Sequence, residues 1–263
     1  MVKRQAPRGL QAERKEGLMA TELKHGSAPA DTISVAGHDL VSDLIGKRGF
    51  SELVALMMSG GELPSEGEAA LIDAILVTFA DHGVTPSSIA ARLTLLGAPE
   101  SFQAAVAAGL CGAGMHYLGT MEFTAALLQA ENGASPSLSP RDIASKIVVE
   151  HRAAKRPIPG LGHPEHKNGD PRTPVLLELA EHHGLRGRHI DILLELPDIL
   201  EEAAGIWLPV NAAGITGAIV SDMGKPPIFG RGLAIIARAG GLVGQLMDEK
   251  KTPTAQGIWD SLR

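Results

Sequence analysis

The residues best suited to chemistry lie in one irregular stretch, Arg156-Pro157-Ile158-Pro159-Gly160-Leu161-Gly162-His163-Pro164-Glu165-His166-Lys167-Asn168-Gly169-Asp170-Pro171-Arg172. Gly160 and Gly162 permit a tight backbone path whose N–H groups can face a ligand. The prolines stiffen that path, so His163 is presented from a rigid loop. A histidine held that way suits hydrogen-bond donation to a carbonyl or alkoxide oxygen. Arg172 falls just inside a predicted helix start, a good place to grip a carboxylate in bidentate fashion. Lys155, Arg156 and Lys167 are cations that either meet phosphates or form a solvated loop face. His166 reads as exposed. The plain alternative is a Pro/Gly connector with incidental charges, but an irregular run over residues 155–174 is unusual inside a compact domain unless it does something.

Other reactive side chains are few. His82, in Ala80-Asp81-His82-Gly83, reads on its own as a cation at a helix C-terminus. Arg238 is flanked by apolar residues and glycines, and such a cation is expensive to bury without an anion. Glu122 reads as a helical surface carboxylate, with a proton-donor role as the alternative. Cys111 is the single cysteine, which excludes an intrachain disulfide, and its apolar, Gly-rich context predicts a buried, inert thiol. No metal site is expected, because His182 and His183 are adjacent rather than at ligand spacing. No phosphate-binding Walker loop or dinucleotide fingerprint is present.

The elements that must position these groups read almost wholly as helix. Thr32 to His38 alternate and end near Gly37, which predicts a short strand or hairpin piece. Helices are expected at Ser51–Met58, about 65–82, 87–96, 101–110, 120–132, 140–154, from Thr173-Pro174 to His183, and at 189–204, 210–223 and 230–248. A Gly-rich break is expected at Gly112-Ala113-Gly114. The loop at 133–140 reads as a domain boundary. The division expected is a flexible polar arm at 1–28, a large helical domain from 29–132 and 224–263, and a small helical domain at 133–223.

Bulk composition limits the partners. Hydrophobic residues make up 44% of the 263-residue chain and aromatics only 3%, which favours close helix packing through small side chains and argues against a base-stacking nucleic-acid surface. A net charge of −6 gives no general attraction to phosphate backbones, so an anionic ligand must be held by local cations and N–H groups. The longest apolar runs are too short or interrupted to span a membrane, and the charged N-terminal segment lacks the apolar stretch of a signal peptide. A cytoplasmic protein with a small-molecule ligand, and neither nucleic acid nor membrane as partner, is expected.

The segment IPGLGHPEHKNGDPR resembles the signature of the citrate synthase superfamily, a Pro-Gly-x-Gly-His loop followed by Asp-Pro-Arg. The resemblance spans roughly residues 32–248, and the length is closer to stand-alone citryl-CoA lyases than to most synthases. It implies an all-α fold with a large and a small helical domain and an active site in the cleft between them. By the same resemblance, Ile158, Gly160, Leu161, Gly162 and Lys167 touch coenzyme A, and His163 polarises the keto or hydroxyl oxygen of the acid. His82, Arg172 and Arg238 bind that acid, and the chain forms a homodimer or a higher even oligomer.

Two positions depart from the pattern. Counting from Gly114, the family's active-site His falls on Tyr117, with His116 one place early, and either is a candidate catalytic residue. The family's catalytic Asp falls on Ala213, in Asn211-Ala212-Ala213. Loss of a general acid/base typically costs about 10²–10⁴-fold, which counts against ordinary citrate synthesis. The expected activity is therefore citryl-CoA lyase-like cleavage of a 3-hydroxy-3-carboxyacyl-CoA to acetyl-CoA and a 2-oxo acid. The alternatives are decarboxylation of oxaloacetate or another β-keto acid, and non-catalytic binding of CoA or an oxo acid.

Overall fold

A computed structural model describes residues 32–262; the arm expected at 1–28 lies outside the described residues. Contacts divide the chain into two units that meet in sequence between Pro64 and Ser65. In the first, β1 (Ser34–Val35) and β2 (His38–Asp39) form an antiparallel hairpin, with Val35 opposite His38. Ala36 and Gly37 both take positive φ, the conformation a two-residue hairpin turn requires. Asp39 then caps a π-helical turn at Leu40–Leu44 by accepting from the Val41 and Ser42 amides. Helix α1 (Phe50–Met58) follows, and Ala36, Leu44 and Leu56 make a small core.

The second unit is all helix. Its elements are α2 (Glu66–Ala80), α3 (Pro86–Gly97), α4 (Phe102–Cys111), α5 (Gly114–Leu118), α6 (Thr120–Ala134), α7 (Pro140–Ala153), α8 (Arg172–His182), α9 (Arg188–Ala204), α10 (Ala212–Asp222), α11 (Pro227–Lys251) and α12 (Ala255–Asp260). The sequence explains several starts. Ser65, Thr85 and Ser139 each accept from the amide three residues on, and Pro86 and Pro140 fill the first helical position, where a missing N–H costs nothing. The N-terminus of α9 is satisfied from afar: Asp222 accepts the Gly187, His189 and Ile190 amides at 2.9, 3.0 and 3.1 Å.

Two helices organise the packing. Helix α10 is buried along nearly its whole length, and Gly217 brings it against the backbone of α6: a Cβ there would lie 2.6 Å from the Met121 carbonyl oxygen. Helix α11 packs on α2, α3, α4, α6 and α10. At Gly241 a Cβ would lie 1.6 Å from the Ala80 carbonyl oxygen, so α11 and the end of α2 touch backbone to backbone. Leu242 and Leu246 continue this face into a core with Ala91, Leu95 and Ala105.

Most of the expected helices form within a few residues of their predicted limits. The Gly-rich break is not wholly irregular, since α5 starts at Gly114. Cys111 is exposed rather than buried. The inward face of α4 is set by Ala105 and Gly109, and Cys111 lies two residues further, about 200° round the helix. No described helix is long and apolar enough to cross a membrane.

The C-terminal turn depends on one carboxylate. Glu249 accepts from the Thr254 and Ala255 amides, each at 2.7 Å, from the Thr254 hydroxyl at 2.6 Å, and from Arg92 of α3. Desolvation alone would raise its pKa, but these donors outweigh it and hold the pKa at about 2. A folded pKa below the unfolded value gives stability that is complete above about pH 4.5 and lost as the pH falls toward 2. Glu249→Gln should therefore lower stability at neutral pH by up to about 3 kcal/mol and flatten acid unfolding in that window, as read by urea denaturation at a series of pH values.

Candidate active site

The signature loop begins where α7 ends. Lys155 takes a left-handed conformation, with φ of 51°, and the His151 Nδ1 lies 3.0 Å from the Pro157 carbonyl oxygen. Ile158 is buried, and Gly160 follows with φ of 91°. A Cβ on Gly160 would lie 2.8 Å from the Gly214 Cα and 2.9 Å from the Thr124 hydroxyl, so only glycine fits between α10 and α6. The loop is then fastened to the segment preceding α10. Gly162 donates to the Pro209 carbonyl (2.7 Å), Asn211 donates from its amide N–H to Gly160 and from its side chain to Gly162 (2.9 and 2.7 Å), and Leu161 bridges Val210.

That fastening presents His163. Its Nδ1 accepts from the Glu165 and His166 amides, both at 3.1 Å. Pro164, which has no N–H, spaces these two donors. With Nδ1 occupied as an acceptor, the proton of the neutral ring resides on Nε2, which is left to donate. Burial, the neighbouring His166, Arg172 and His82 lower the His163 pKa, while Asp170 acts in the opposite sense. His166, expected to be exposed, is half-buried: its ring stacks on His163 at 4.5 Å between centroids because its own amide binds the same imidazole.

Asp170 and Arg172 form the second part. The Asp170 carboxylate is buried and accepts from Arg172 Nε and Nη2 at 2.9 and 2.8 Å, from the Arg172 amide at 3.1 Å, and from the Ala212 amide of α10 at 2.9 Å. Desolvation opposes the charge, but Arg172 and the two amides prevail and bring its pKa to about 2. Arg172 therefore spends two of its five N–H donors inside the protein and keeps the remainder for a ligand. Its guanidinium also sits 5.9 Å from the centre of the Phe79 ring.

Histidine 82 and Arg238 complete the group. The His82 ring meets His163 edge-on, with centroids 6.0 Å apart and planes at 85°. Burial, and then the positive charges of Arg172 and Arg238, lower the His82 pKa, while Glu165 and Asp81 raise it. Arg238, on α11, is 7% exposed, and its buried Nε has no hydrogen-bond partner. Burial also presses its pKa down; Asp81 is the only described group acting against that, and the Asp81 carboxylate already accepts from Gln245 and Gly83. A buried guanidinium left in this state is satisfied by an anion.

The remaining candidates lie around this centre. Ala213 is half-buried near the start of α10 and packs, with Phe79, against Ala113, Leu118, Met121 and Ala234. The position assigned to a catalytic Asp is thus apolar, and α5 borders it through Leu118. Tyr117 is half exposed on α5; the His116 side chain lies outside the described residues. Glu122 is ion-paired with Arg231 at 2.8 Å. Lys155, Arg156 and Lys167 are exposed. Sequence reasoning missed Asp170, Asn211 and Phe79. The Asp-Pro-Arg spacing carried a signal for Asp170, because an Asp just before a helix start accepts the amides that follow. No cluster of three or more metal-ligating side chains occurs among the described residues.

Residues 17–258 match the family model described as citrate synthase, C-terminal domain. The structure is similar to that of citryl-CoA lyase from Hydrogenobacter thermophilus, with a TM-score of 0.79, 33% identity, and coverage of 89% of this chain and 88% of that one. It also superposes on ATP citrate lyase from Methanothrix soehngenii, solved with citrate and coenzyme A, with a TM-score of 0.74 and 21% identity over 95% of this chain and 42% of that one. That second likeness concerns the fold alone. A curated citrate synthase from Deinococcus radiodurans is 27% identical over 191 residues, 70% of this chain, and the match spans about half (48%) of that relative's length. With a family match across most of its length and the Hydrogenobacter enzyme similar over nearly all of it, the chain belongs to the citrate synthase family.

Proposed function

We propose that the protein cleaves a 3-hydroxy-3-carboxyacyl-CoA, of which citryl-CoA is the type, into acetyl-CoA and a 2-oxo acid such as oxaloacetate. The observation that carries this reading is the fixed His163 tautomer, an Nε2–H donor beside two arginines with free N–H groups. Arg172 and Arg238 hold the carboxylates of the acid portion, and His82 lines the same wall. The Gly160–Gly162 backbone and Lys167 meet the thioester carrier. In cleavage, the tertiary hydroxyl gives its proton to solvent by way of neutral His82, and His163 donates to the alkoxide oxygen. The carbonyl of the oxo acid forms as the carbon–carbon bond breaks. The electron pair passes to the thioester enolate, which takes a proton from water and becomes acetyl-CoA. No step needs a carboxylate at Ala213. In this reading His116 or Tyr117 donates to the thioester oxygen.

Mixing the purified protein with citryl-CoA should yield oxaloacetate, detected by coupled reduction to malate. His163→Ala should lower kcat by about 10²–10³-fold, the usual loss for one oxyanion donor. No oxaloacetate above background would reject this substrate. The apolar Ala213 also favours a second reading, decarboxylation of a β-keto acid, since loss of CO₂ needs no proton acceptor there. CoA-independent formation of pyruvate from oxaloacetate alone would support it.

The lowered histidine pKa values have a kinetic consequence. His82 and His163 act as neutral rings, so protonation of either abolishes the site. Because both pKa values lie below 6.5, the acid limb of kcat/KM should also fall below 6.5, with a plateau through neutrality. A limb at or above the ordinary histidine value would contradict the assignment. A homodimer is proposed as well, and light scattering should return twice the chain mass.

A further inference from the structure

Helix α11 carries Arg238, Gly241 and Gln245 on one stripe, spaced by three and four positions. Arg238 is the buried arginine of the site, and Gly241 is where α11 meets the Ala80 carbonyl. Gln245 extends the stripe to the turn just past α2. Its Nε2 donates to the Asp81 carboxylate and to the Gly83 carbonyl, the second at 3.1 Å. Asp81 also accepts the Gly83 amide at 3.3 Å, and Gly83 takes φ of 62°. One side-chain amide thus grips the residues on either side of His82. Gly83 and Val84 are exposed, so packing supports the far side of this turn little and hydrogen bonds must hold it.

The amide of Gln245 has one orientation. The Asp81 carboxylate and the Gly83 carbonyl only accept, so the nitrogen end faces them. On the other side Arg92 of α3, which only donates, lies 3.4 Å from Gln245 Oε1. Arg92 is held in turn by Glu249 and by the Thr254 hydroxyl. A chain of donors and acceptors therefore runs from the C-terminal turn, across α3 and α11, to the two neighbours of His82.

We infer that Gln245 is a positioning residue for His82: by holding Asp81 and Gly83 it fixes the turn from which the imidazole reaches His163. The kinetic part of the inference rests on the role given to His82 in the function proposed above. There the ring passes on the proton of the tertiary hydroxyl while Arg172 and Arg238 hold the acid. A displaced ring then slows turnover and leaves binding to the arginines.

Gln245→Leu keeps the bulk of the side chain and removes both donations. With citryl-CoA it should lower kcat by roughly 10- to 100-fold and change KM by less than about threefold. A double-mutant cycle separates positioning from a general structural role: in a His82→Ala background, Gln245→Leu should cost nothing further. Gln245→Glu keeps an acceptor for Arg92 but repels Asp81, so it should be as slow as the Leu variant. A readout that needs no turnover is the NMR signal of the His82 ring, identified by its loss in His82→Ala. That signal should shift in Gln245→Leu, while the signal of His189, whose partners are Asn132 and Asp222, stays in place. Unchanged kcat in Gln245→Leu, an equal loss with and without His82, or full recovery in Gln245→Glu would each overturn the inference and leave the proposed function standing. Absence of cleavage by the unmodified protein would reject the proposed function, and an unshifted His82 signal would then overturn the inference separately.

Discussion

The buried Asp170 carboxylate is the interaction on which the site depends. It joins three parts of the chain that are distant in function: the end of the signature loop, the first residue of α8, and the first amide of α10. An unpaired carboxylate in that position would be costly, and here every acceptor direction is used. The consequence is geometric as much as energetic. The Arg172 fork is fixed in one plane, so its remaining donors point in a set direction before any ligand arrives. A ligand that meets a preorganised arginine loses less freedom on binding than one that must organise a long, mobile side chain.

The local charge balance differs from that of the whole molecule. The chain as a whole carries −6, yet the site gathers two arginines around two histidines; Arg172 lowers the pKa of both, and Arg238 lowers that of His82. Cationic grip and neutral hydrogen-bond donation are thereby separated. In the proposed cleavage the arginines would bind charge that is present throughout, and His163 would address charge that appears only as the oxygen becomes an alkoxide. Only the second kind of interaction lowers a barrier. The apolar pocket around Ala213 fits this division, since a carboxylate beside Phe79 would weaken the positive field of the neighbouring arginine.

Much of this was legible in the sequence because the informative residues are glycines, prolines and caps, whose backbone demands are local. Gly160 and Gly162 marked the tight loop, and the Ser65, Thr85 and Ser139 caps marked helix starts. Arg238 was legible through a physical conflict, a cation in an apolar frame. Contacts made across long sequence distances were not legible. Nothing local says that Asp222 serves α9, that Asn211 fastens the loop, or that Phe79 lies under Arg172. Cys111 was misjudged because an apolar neighbourhood in sequence does not say which way one residue of a helix faces. His166 was misjudged for a related reason: its surroundings were set by the amide it donates to His163.

The contact between Gly241 and Ala80 gives the site a measuring gauge. His82 follows Ala80 by two residues and Arg238 precedes Gly241 by three, so each sits within about one helical turn of a point where two backbones touch. The separation of the two backbones that carry His82 and Arg238 is therefore set by main-chain atoms, and only the side chains reaching from them can rotate or be exchanged. Repacking the hydrophobic interior would leave that backbone spacing unchanged, so an acid held as proposed between the two side chains would be gauged from a fixed base.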